Sequence, residues 1–233
     1  MYGKTKFMHP DQFPISFIIT IDGPAGSGKT TVSRMLADHL GFDYVDTGAL
    51  YRGVAWQALR KKVTTDDNVA LERLCQNIQL DLIREKDGLH LWVDEVDVTG
   101  LIRTPEISMA ASAVSAQPAV RGCLLGLQRS LGRNRRAVFE GRDMGTVVFP
   151  NAQVKFYLEA DIEVRAQRRL DELPPEKAAG FRQVKTDMAK RDAADSSRAL
   201  APLQPAPDAI RVDTTDLSIG QVIDQLMRHI RSS

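Results

Sequence analysis

The residues whose spacing is most specific for chemistry are two glycines, a lysine and a threonine near the start of the chain. Gly23, Gly28, Lys29 and Thr30 fit the pattern G-x-x-x-x-G-K-[ST]. Glycines let backbone N–H groups close around phosphate oxygens, lysine reaches the β- and γ-phosphates, and the hydroxyl can ligate Mg²⁺. An apolar run precedes the pattern and helix-forming sequence follows it. The stretch predicts a site for a nucleoside triphosphate; the alternative is a glycine-rich turn between two core elements.

Two further stretches carry charge directly after predicted strands. Residues 46–52, DTGALYR, place Arg52 at the edge of the sheet where open α/β folds bind ligands. Residues 139–146, FEGRDMGT, crowd Arg142 and Asp143 between glycines. Charged groups at that edge are costly unless they are used. The alternatives are a solvated arginine in the first stretch and a structural ion pair in the second.

A third charged stretch, residues 190–198, ends a polar helical segment predicted from residue 176. Arg191, Asp195 and Arg198 are spaced by four and three residues, so they share one helical face if the helix continues that far. A solvated charged face is the usual reason for such a run. Phosphoryl transfer, however, needs mobile cations that cover developing charge and exclude water, which favours a lid.

Composition limits the classes of protein that the chain can form. It has 233 residues, 43% of them hydrophobic and 26% charged, and a net charge of +1. These values predict one globular domain and give no global attraction to nucleic acid or membrane. No apolar run approaches the ~20 residues of a membrane span. Cys75 and Cys123 show no metal-ligand spacing, so we expect two small core residues in a cytoplasmic protein.

Periodicity predicts alternating strands and helices, which is typical of an α/β fold with a parallel sheet. A hairpin pair, Asp87-Gly88, divides two alternating runs and predicts a small antiparallel insertion at residues 76–100. The pair Thr47-Gly48 is expected to break the chain before a helix at residues 50–61. The other expected elements are strands at residues 18–21, 42–46, 137–139, 154–158 and 209–212, and helices from Lys29, after Asp67, from Pro105, from Pro118 and from Ser218.

Taken together, these stretches closely resemble the bacterial cytidylate (CMP/dCMP) kinases. The resemblance runs from about Phe17 to the C-terminus and rests on GPAGSGKTT, DTGALYR, EGRDMGTVVFP and KRDAADSSRALAPL. It implies a phosphate-loop nucleoside-monophosphate-kinase fold: a five-stranded parallel sheet flanked by helices, a small antiparallel β insertion and a helical lid. The implied boundaries are an N-terminal extension at 1–16 and a core at 17–233, with a monophosphate-binding insertion at 62–117 and a lid at 174–200.

The resemblance also implies the reaction and its residues. A kinase of this family, a transferase of pyrimidine metabolism, moves the γ-phosphoryl group of ATP to CMP or dCMP, with Mg²⁺ as cofactor and, we expect, as a monomer. Lys29, Arg142, Arg191 and Arg198 would be catalytic, and Thr30 would bind the metal. The implied ATP-binding residues are Gly23, Pro24, Ala25, Gly26, Ser27, Gly28, Lys29, Thr30 and Thr31. The implied CMP-binding residues are Thr47, Tyr51, Arg52, Ser112, Arg121, Arg142, Asp143, Arg191 and Asp195.

Two rival functions remain open from the sequence. A GTP-binding switch would explain the D-x-x-G string at residues 97–100, but the chain has no Asn-Lys-x-Asp motif to read guanine. A phosphate-loop kinase for a small metabolite is harder to exclude, because an arginine clamp would also bind a carboxylic acid.

Overall fold

The computed structural model describes residues 10–85, 88–172 and 180–232. The described chain contains eight strands and eight helices, with a short 3₁₀ turn at Pro10–Gln12 and a π-helical turn at Met144–Val148. The strands are β1 Phe17–Asp22, β2 Asp43–Asp46, β3 Leu80–Glu85, β4 Gly88–Val93, β5 Val96–Asp97, β6 Arg136–Glu140, β7 Val154–Glu159 and β8 Ile210–Asp213. The helices are α1 Lys29–Leu40, α2 Thr47–Arg60, α3 Asn68–Asn77, α4 Pro105–Val114, α5 Pro118–Leu131, α6 Ile162–Asp171, α7 Phe181–Ser196 and α8 Ile219–Ser232.

Five strands form one sheet in the order β2-β6-β1-β7-β8, so β1 is central. Its neighbours run parallel to it, with Ile21 opposite Glu140 on one side and Phe156 on the other. Every residue of β1 is buried, as expected for a parallel strand covered on both faces. The remaining strands, β3, β4 and β5, form a separate antiparallel sheet. The predicted fold class is confirmed.

The chain divides into two compact units, residues 1–44 with 132–233 and residues 45–131. The core of the first unit joins the central strand to α1 and α8 through apolar residues such as Ile19, Leu36 and Leu226. Helix α8 begins with the predicted capping box: Ser218 Oγ accepts from the Gln221 N–H, and Gln221 Oε1 accepts from the Ser218 N–H at 2.8 Å.

The second unit contains α2 to α5 and the antiparallel sheet. Its core brings together Leu50 and Val54 of α2, Leu71 of α3, Leu91 of β4 and Leu124 of α5. The unit includes the segment 62–117 that the family resemblance marks as the insertion, and it extends beyond that segment on both sides. Among the described residues, no helix has the length and apolar character needed to cross a membrane.

Two local predictions were wrong, and one helix was missed. Thr47 and Gly48 do not break the chain but open α2, because the Asp46 side chain caps the helix by accepting from the Ala49 N–H. Phe13 is not part of a loose extension, since it is buried against other phenylalanines in the core. The sequence pattern also missed α6, Ile162–Asp171.

The predicted polar helical segment is α7, which extends to Ser196 and so includes Arg191 and Asp195 but not Arg198. The part of the lid prediction at 174–179, the Asp87 half of the hairpin pair and the first nine residues of the extension lie outside the described residues.

Candidate functional site

The phosphate loop, residues 23–31, connects the end of β1 to the first turn of α1. Gly23 and Gly26 have φ angles of +145° and +74°. A Cβ at Gly23 would lie 2.0 Å from the Leu158 carbonyl oxygen, and one at Gly26 would lie 2.9 Å from the Arg165 carbonyl oxygen. Both positions therefore require glycine, for space and for backbone conformation. Because the loop leads into a helix N-terminus, backbone N–H groups and the helix dipole favour the same anion.

Lys29 is buried within this loop, with 7% of its surface exposed. Its Nζ donates to the Pro24 carbonyl oxygen and to Ser27 Oγ, which is 3.4 Å away. Burial, and after it the charge of Arg142, lowers the pKa of Lys29. A phosphate bound in the loop would oppose this shift by supplying negative charge. The arrangement suits a lysine that exchanges contacts to its own loop for phosphate oxygens.

Thr30 follows the lysine and contacts an acidic residue on the neighbouring strand. Its Oγ1 donates to Glu140 Oε1 at 2.9 Å, and Glu140 is the last residue of β6. A hydroxyl and a carboxylate are the oxygen donors that Mg²⁺ prefers in nucleotide sites, so this pair fits the cofactor that the sequence predicts. The sequence alone indicated Thr30 but no carboxylate.

Asp22 holds the turn formed by residues 141–145 against the phosphate loop. It ends β1 immediately before Gly23, and its two carboxylate oxygens accept from the Met144 and Gly145 N–H groups at 2.9 and 2.8 Å. Burial raises the pKa of Asp22 to about 6, with the charge of Asp143 adding to that effect and the two backbone hydrogen bonds opposing it. The phosphate loop and this turn are therefore positioned by one buried carboxylate.

Three arginines surround the carboxylate of Asp195, which lies near the end of α7 and is 5% exposed as a side chain. Asp195 Oδ2 is 3.3 Å from Arg142 Nε and 4.0 Å from Arg191 Nε, and Asp195 Oδ1 is 3.9 Å from Arg198 Nη1. We call these four residues the arginine cluster. Arg198 lies beyond the helix end but still reaches Asp195. Guanidinium groups form charge-assisted hydrogen bonds with phosphate oxygens, so three arginines around one carboxylate suit a phosphate-binding role.

A fourth arginine links α6, α7 and the phosphate loop. Arg165 is buried on α6; its Nη1 donates to Asp192 Oδ2 on α7 at 2.6 Å and to the Ala25 carbonyl oxygen at 3.1 Å. The two helices share a small apolar cluster that includes Val184 and Met188. This residue was missed because nothing in the sequence marks the helix that carries it.

In the second unit, Arg52 pairs with the aspartate that caps α2. Arg52 Nη2 is 2.6 Å from Asp46 Oδ2, and both side chains are largely buried. A Cβ at Gly48 would lie 3.1 Å from both Arg52 Nη1 and Asp46 Oδ1. The glycine thus leaves room for the ion pair, which fixes the guanidinium at the start of α2.

The other side chains predicted to bind the acceptor lie on three helices of the same unit. Arg121 on α5 has its guanidinium 5.7 Å from the centre of the Tyr51 ring on α2, and its Nη1 donates to the Ser115 carbonyl oxygen at 3.0 Å. Ser115 Oγ in turn donates to the Ser112 carbonyl oxygen at 2.7 Å. The predicted residues Tyr51, Ser112 and Arg121 are therefore connected, and Thr47 is buried at the start of α2.

The D-x-x-G string has a structural role in the antiparallel sheet. Asp97 on β5 accepts from the Thr99 N–H at 2.9 Å and lies 2.9 Å from His90 Nδ1. These contacts, the His90 hydrogen bond first, lower the pKa of Asp97 to about 2. The string therefore forms a hydrogen-bonded turn of a small sheet, which removes the support for a GTP-binding switch.

The predicted site residues separate by unit. The first unit carries the phosphate loop, Arg142, Asp143, Arg191, Asp195 and Arg198. The second carries Thr47, Tyr51, Arg52, Ser112 and Arg121. Asp22 and Glu140 were not identified as site residues from the sequence. A signal for them exists, because each is an acidic residue that ends a buried strand at the ligand-binding edge of a parallel sheet.

A parallel sheet with a phosphate loop after its central strand defines a phosphate-loop nucleotide-binding protein. A solved structure of an uncharacterized protein from Eubacterium ventriosum shares this fold, with a TM-score of 0.52, 13% identity and coverage of 94% of this chain and 99% of that one.

Sequence comparison then identifies the family. The cytidylate kinase family model matches residues 19–232. The cytidylate kinase of Syntrophotalea carbinolica is 46% identical over 215 residues, covering 91% of this chain and 90% of the relative. That of Geobacillus sp. is 44% identical over 213 residues, covering 90% and 94%. The chain therefore belongs to the cytidylate kinase family, and it is a kinase, that is, a phosphotransferase. The resemblance stated in the sequence analysis is confirmed.

Proposed function

We propose that this chain transfers the γ-phosphoryl group of ATP to CMP or dCMP, giving CDP or dCDP and ADP. Family membership supports the reaction class. The observation that carries the proposal is the charge arrangement around Lys29 in the phosphate loop of the first unit. The positive charges of Arg142 and Arg191 and the negative charges of Glu140 and Asp22 all act on this lysine. Cations and a buried carboxylate pair around one loop suit a triphosphate whose end phosphate is transferred.

The donor side is assigned to the phosphate loop. Its backbone N–H groups would hold the ATP phosphates, and Lys29 would contact the β- and γ-phosphates. Thr30 and Glu140 would hold Mg²⁺, which neutralises charge on the bridging phosphate oxygens when it is bound. Asp22 keeps the adjacent turn in place, so that Arg142 is presented from a fixed backbone.

The acceptor side is assigned to the residues that the family resemblance implies. Arg52 and Arg142 would clamp the acceptor phosphate beside Thr47 and Tyr51, Arg191 and Asp195 would contact the sugar, and Arg198 would cover the transferring group. Asp143 would accept from the cytosine amino group, and Arg121 and Ser112 would donate to cytosine N3 and O2. This donor and acceptor pattern fits cytosine and opposes uracil, whose N3–H and O4 reverse it.

The transfer is direct and in line, without a phosphoenzyme. Phosphoryl transfer needs little covalent help from the protein, so positioned cations suffice to stabilise the transition state. Arg191 on α7 and Arg198 just beyond its end would cover the developing charge when the lid is closed and water is excluded. We place the reaction in the cytoplasm and expect the chain to act as a monomer.

A coupled assay of ADP release tests the proposal against the rival metabolite kinase. CMP, dCMP, UMP, AMP and shikimate would be compared as acceptors with ATP and Mg²⁺. CMP and dCMP should give the highest kcat/KM, and Arg52→Ala should lower it for both, whereas Arg73→Ala, an exposed arginine of α3, should not. Turnover of shikimate above that of CMP would refute the assignment of the acceptor.

A further inference from the structure

We propose that Cys75 and Cys123 form a redox-active dithiol pair that is oxidised to an intramolecular disulfide between α3 and α5. The sequence predicts two separate core cysteines. The structure instead brings them together although they are 48 positions apart: Cys123 Sγ lies 3.8 Å from the Cys75 carbonyl oxygen. Both residues are half-buried rather than fully buried, so a small oxidant can approach them.

The two helices that carry the pair pack against each other in the core of the second unit. Leu71 and Leu74 of α3 and Leu124 of α5 belong to the same apolar cluster, and Cys75 packs against it. A disulfide requires the two Cα atoms to be roughly 4.4–6.8 Å apart, a separation that neighbouring helix faces can provide. The contact of Cys123 Sγ with the Cys75 backbone places the two residues side by side, and the pKa of each thiol depends first on the other.

The pair is chemically asymmetric. A hydrogen bond from Cys75 lowers the pKa of Cys123 to about 7, while the same contact, followed by burial, raises the pKa of Cys75. Cys75 also lies in the last turn of α3, where the negative end of the helix dipole disfavours a thiolate. Cys123 is therefore assigned as the attacking thiolate and Cys75 as the resolving thiol.

The oxidant is a low-molecular-weight disulfide, RS–SR. The Cys123 thiolate attacks one sulfur, which forms a Cys123–SR bond, breaks the S–S bond and releases RS⁻. Cys75, losing its proton to solvent, then attacks Cys123 Sγ and releases the second RS⁻. The two cysteines lose two electrons, and the reagent gains them as two thiols. Because Cys123 is two residues from Arg121 on α5, the product ties the helix that carries Arg121 to α3.

Oxidised glutathione tests this chemistry on the full chain. The protein would be incubated with the reagent at pH 7.5, denatured, alkylated with iodoacetamide and analysed by intact and peptide mass spectrometry. We expect a mass lower by about 2 Da, no alkylation, a peptide containing both cysteines, and reversal by dithiothreitol. The melting temperature should rise on oxidation, since the cross-link constrains the unfolded chain.

Two serine variants separate the roles. Cys75→Ser should accumulate one glutathione on Cys123, because the resolving thiol is missing. Cys123→Ser should react more slowly, and neither variant should show the rise in melting temperature. Two alkylated thiols, glutathione on both cysteines or a disulfide between two chains in the unmodified protein would overturn the proposal. Faster reaction of Cys123→Ser than of Cys75→Ser would overturn the assignment of the nucleophile.

Discussion

Asp22→Asn tests how a buried carboxylate positions the turn at residues 141–145. The substitution keeps the size of the side chain but replaces one acceptor oxygen by an NH₂ group. That group would face the N–H of Met144 or Gly145, so two donors would meet where a hydrogen bond now exists. The loss of this hydrogen bond should lower the free energy of unfolding by about 1–3 kcal/mol at any pH. The substitution also removes the ionisation of Asp22, which depends on pH.

The sign and size of the pH-dependent part follow from the pKa. Burial raises the pKa of Asp22 to about 6 from its ordinary value of 3.8. The folded protein thus binds a proton that the unfolded chain has already released, so protonation stabilises the fold below pH 6 and this contribution is lost as pH rises. It amounts to about 1.4 kcal/mol at pH 5 and to nearly zero at pH 7.5.

Urea denaturation at pH 5 and pH 7.5 measures the effect. The free energy of unfolding of the unmodified protein, minus that of Asp22→Asn, should be larger at pH 5 by about 1.4 kcal/mol. Asp66→Asn, at an exposed aspartate, controls for the change in net charge. A difference that is the same at both pH values would refute the claim that burial holds Asp22 at a raised pKa.

Three further predictions test the assigned charges. Lys29→Ala should lower turnover by about 10³-fold or more while the protein stays folded, as checked by circular dichroism; near-normal turnover would remove the loop lysine from the mechanism. Asp195→Asn should lower the melting temperature, because three guanidinium groups lose their shared, buried carboxylate; an unchanged melting temperature would contradict a stabilising role of that carboxylate. Asp143→Ala should reduce the ratio of kcat/KM for CMP to kcat/KM for UMP by tens-fold. Arg142→Ala should lower kcat/KM for CMP and for UMP by similar factors. An unchanged ratio in Asp143→Ala would exclude Asp143 as the residue that recognises the base.

Elements coded by neighbouring residues could be predicted from the sequence. The phosphate loop, with Gly41 ending α1 in the left-handed conformation at φ +64°, and the capped start of α3 at Asp67 follow from short patterns that the structure reproduces. The error at Thr47 and Gly48 has the same local origin. Their glycine-containing pair was interpreted as a break, but the preceding aspartate supplies a helix cap that outweighs it.

Contacts between distant residues could not be predicted in this way. Thr30 and Glu140 are 110 positions apart, and Asp22 and Met144 are 122 apart, so no spacing rule connects them. Helix α6 was missed because its sequence is mostly polar. Its Arg165 is nevertheless buried, and the ion pair with Asp192 on α7 that makes this burial tolerable exists only in the folded chain.

The pairing of β1 with β6 brings together two parts of the chain that are far apart in sequence: the phosphate loop after β1 and the turn at residues 141–145 after β6. Their relative position is therefore independent of the number of residues between them. Ile21 lies opposite Glu140, and the Ile21 carbonyl oxygen accepts from the Gly141 N–H at 3.1 Å, so the strand register brings the turn at residues 141–145 beside the phosphate loop, where Asp22 holds it. Residues 45–131 lie between these two parts in the sequence, and they take no part in the pairing of β1 with β6. The length of this unit can therefore change without moving the turn at residues 141–145 away from the phosphate loop.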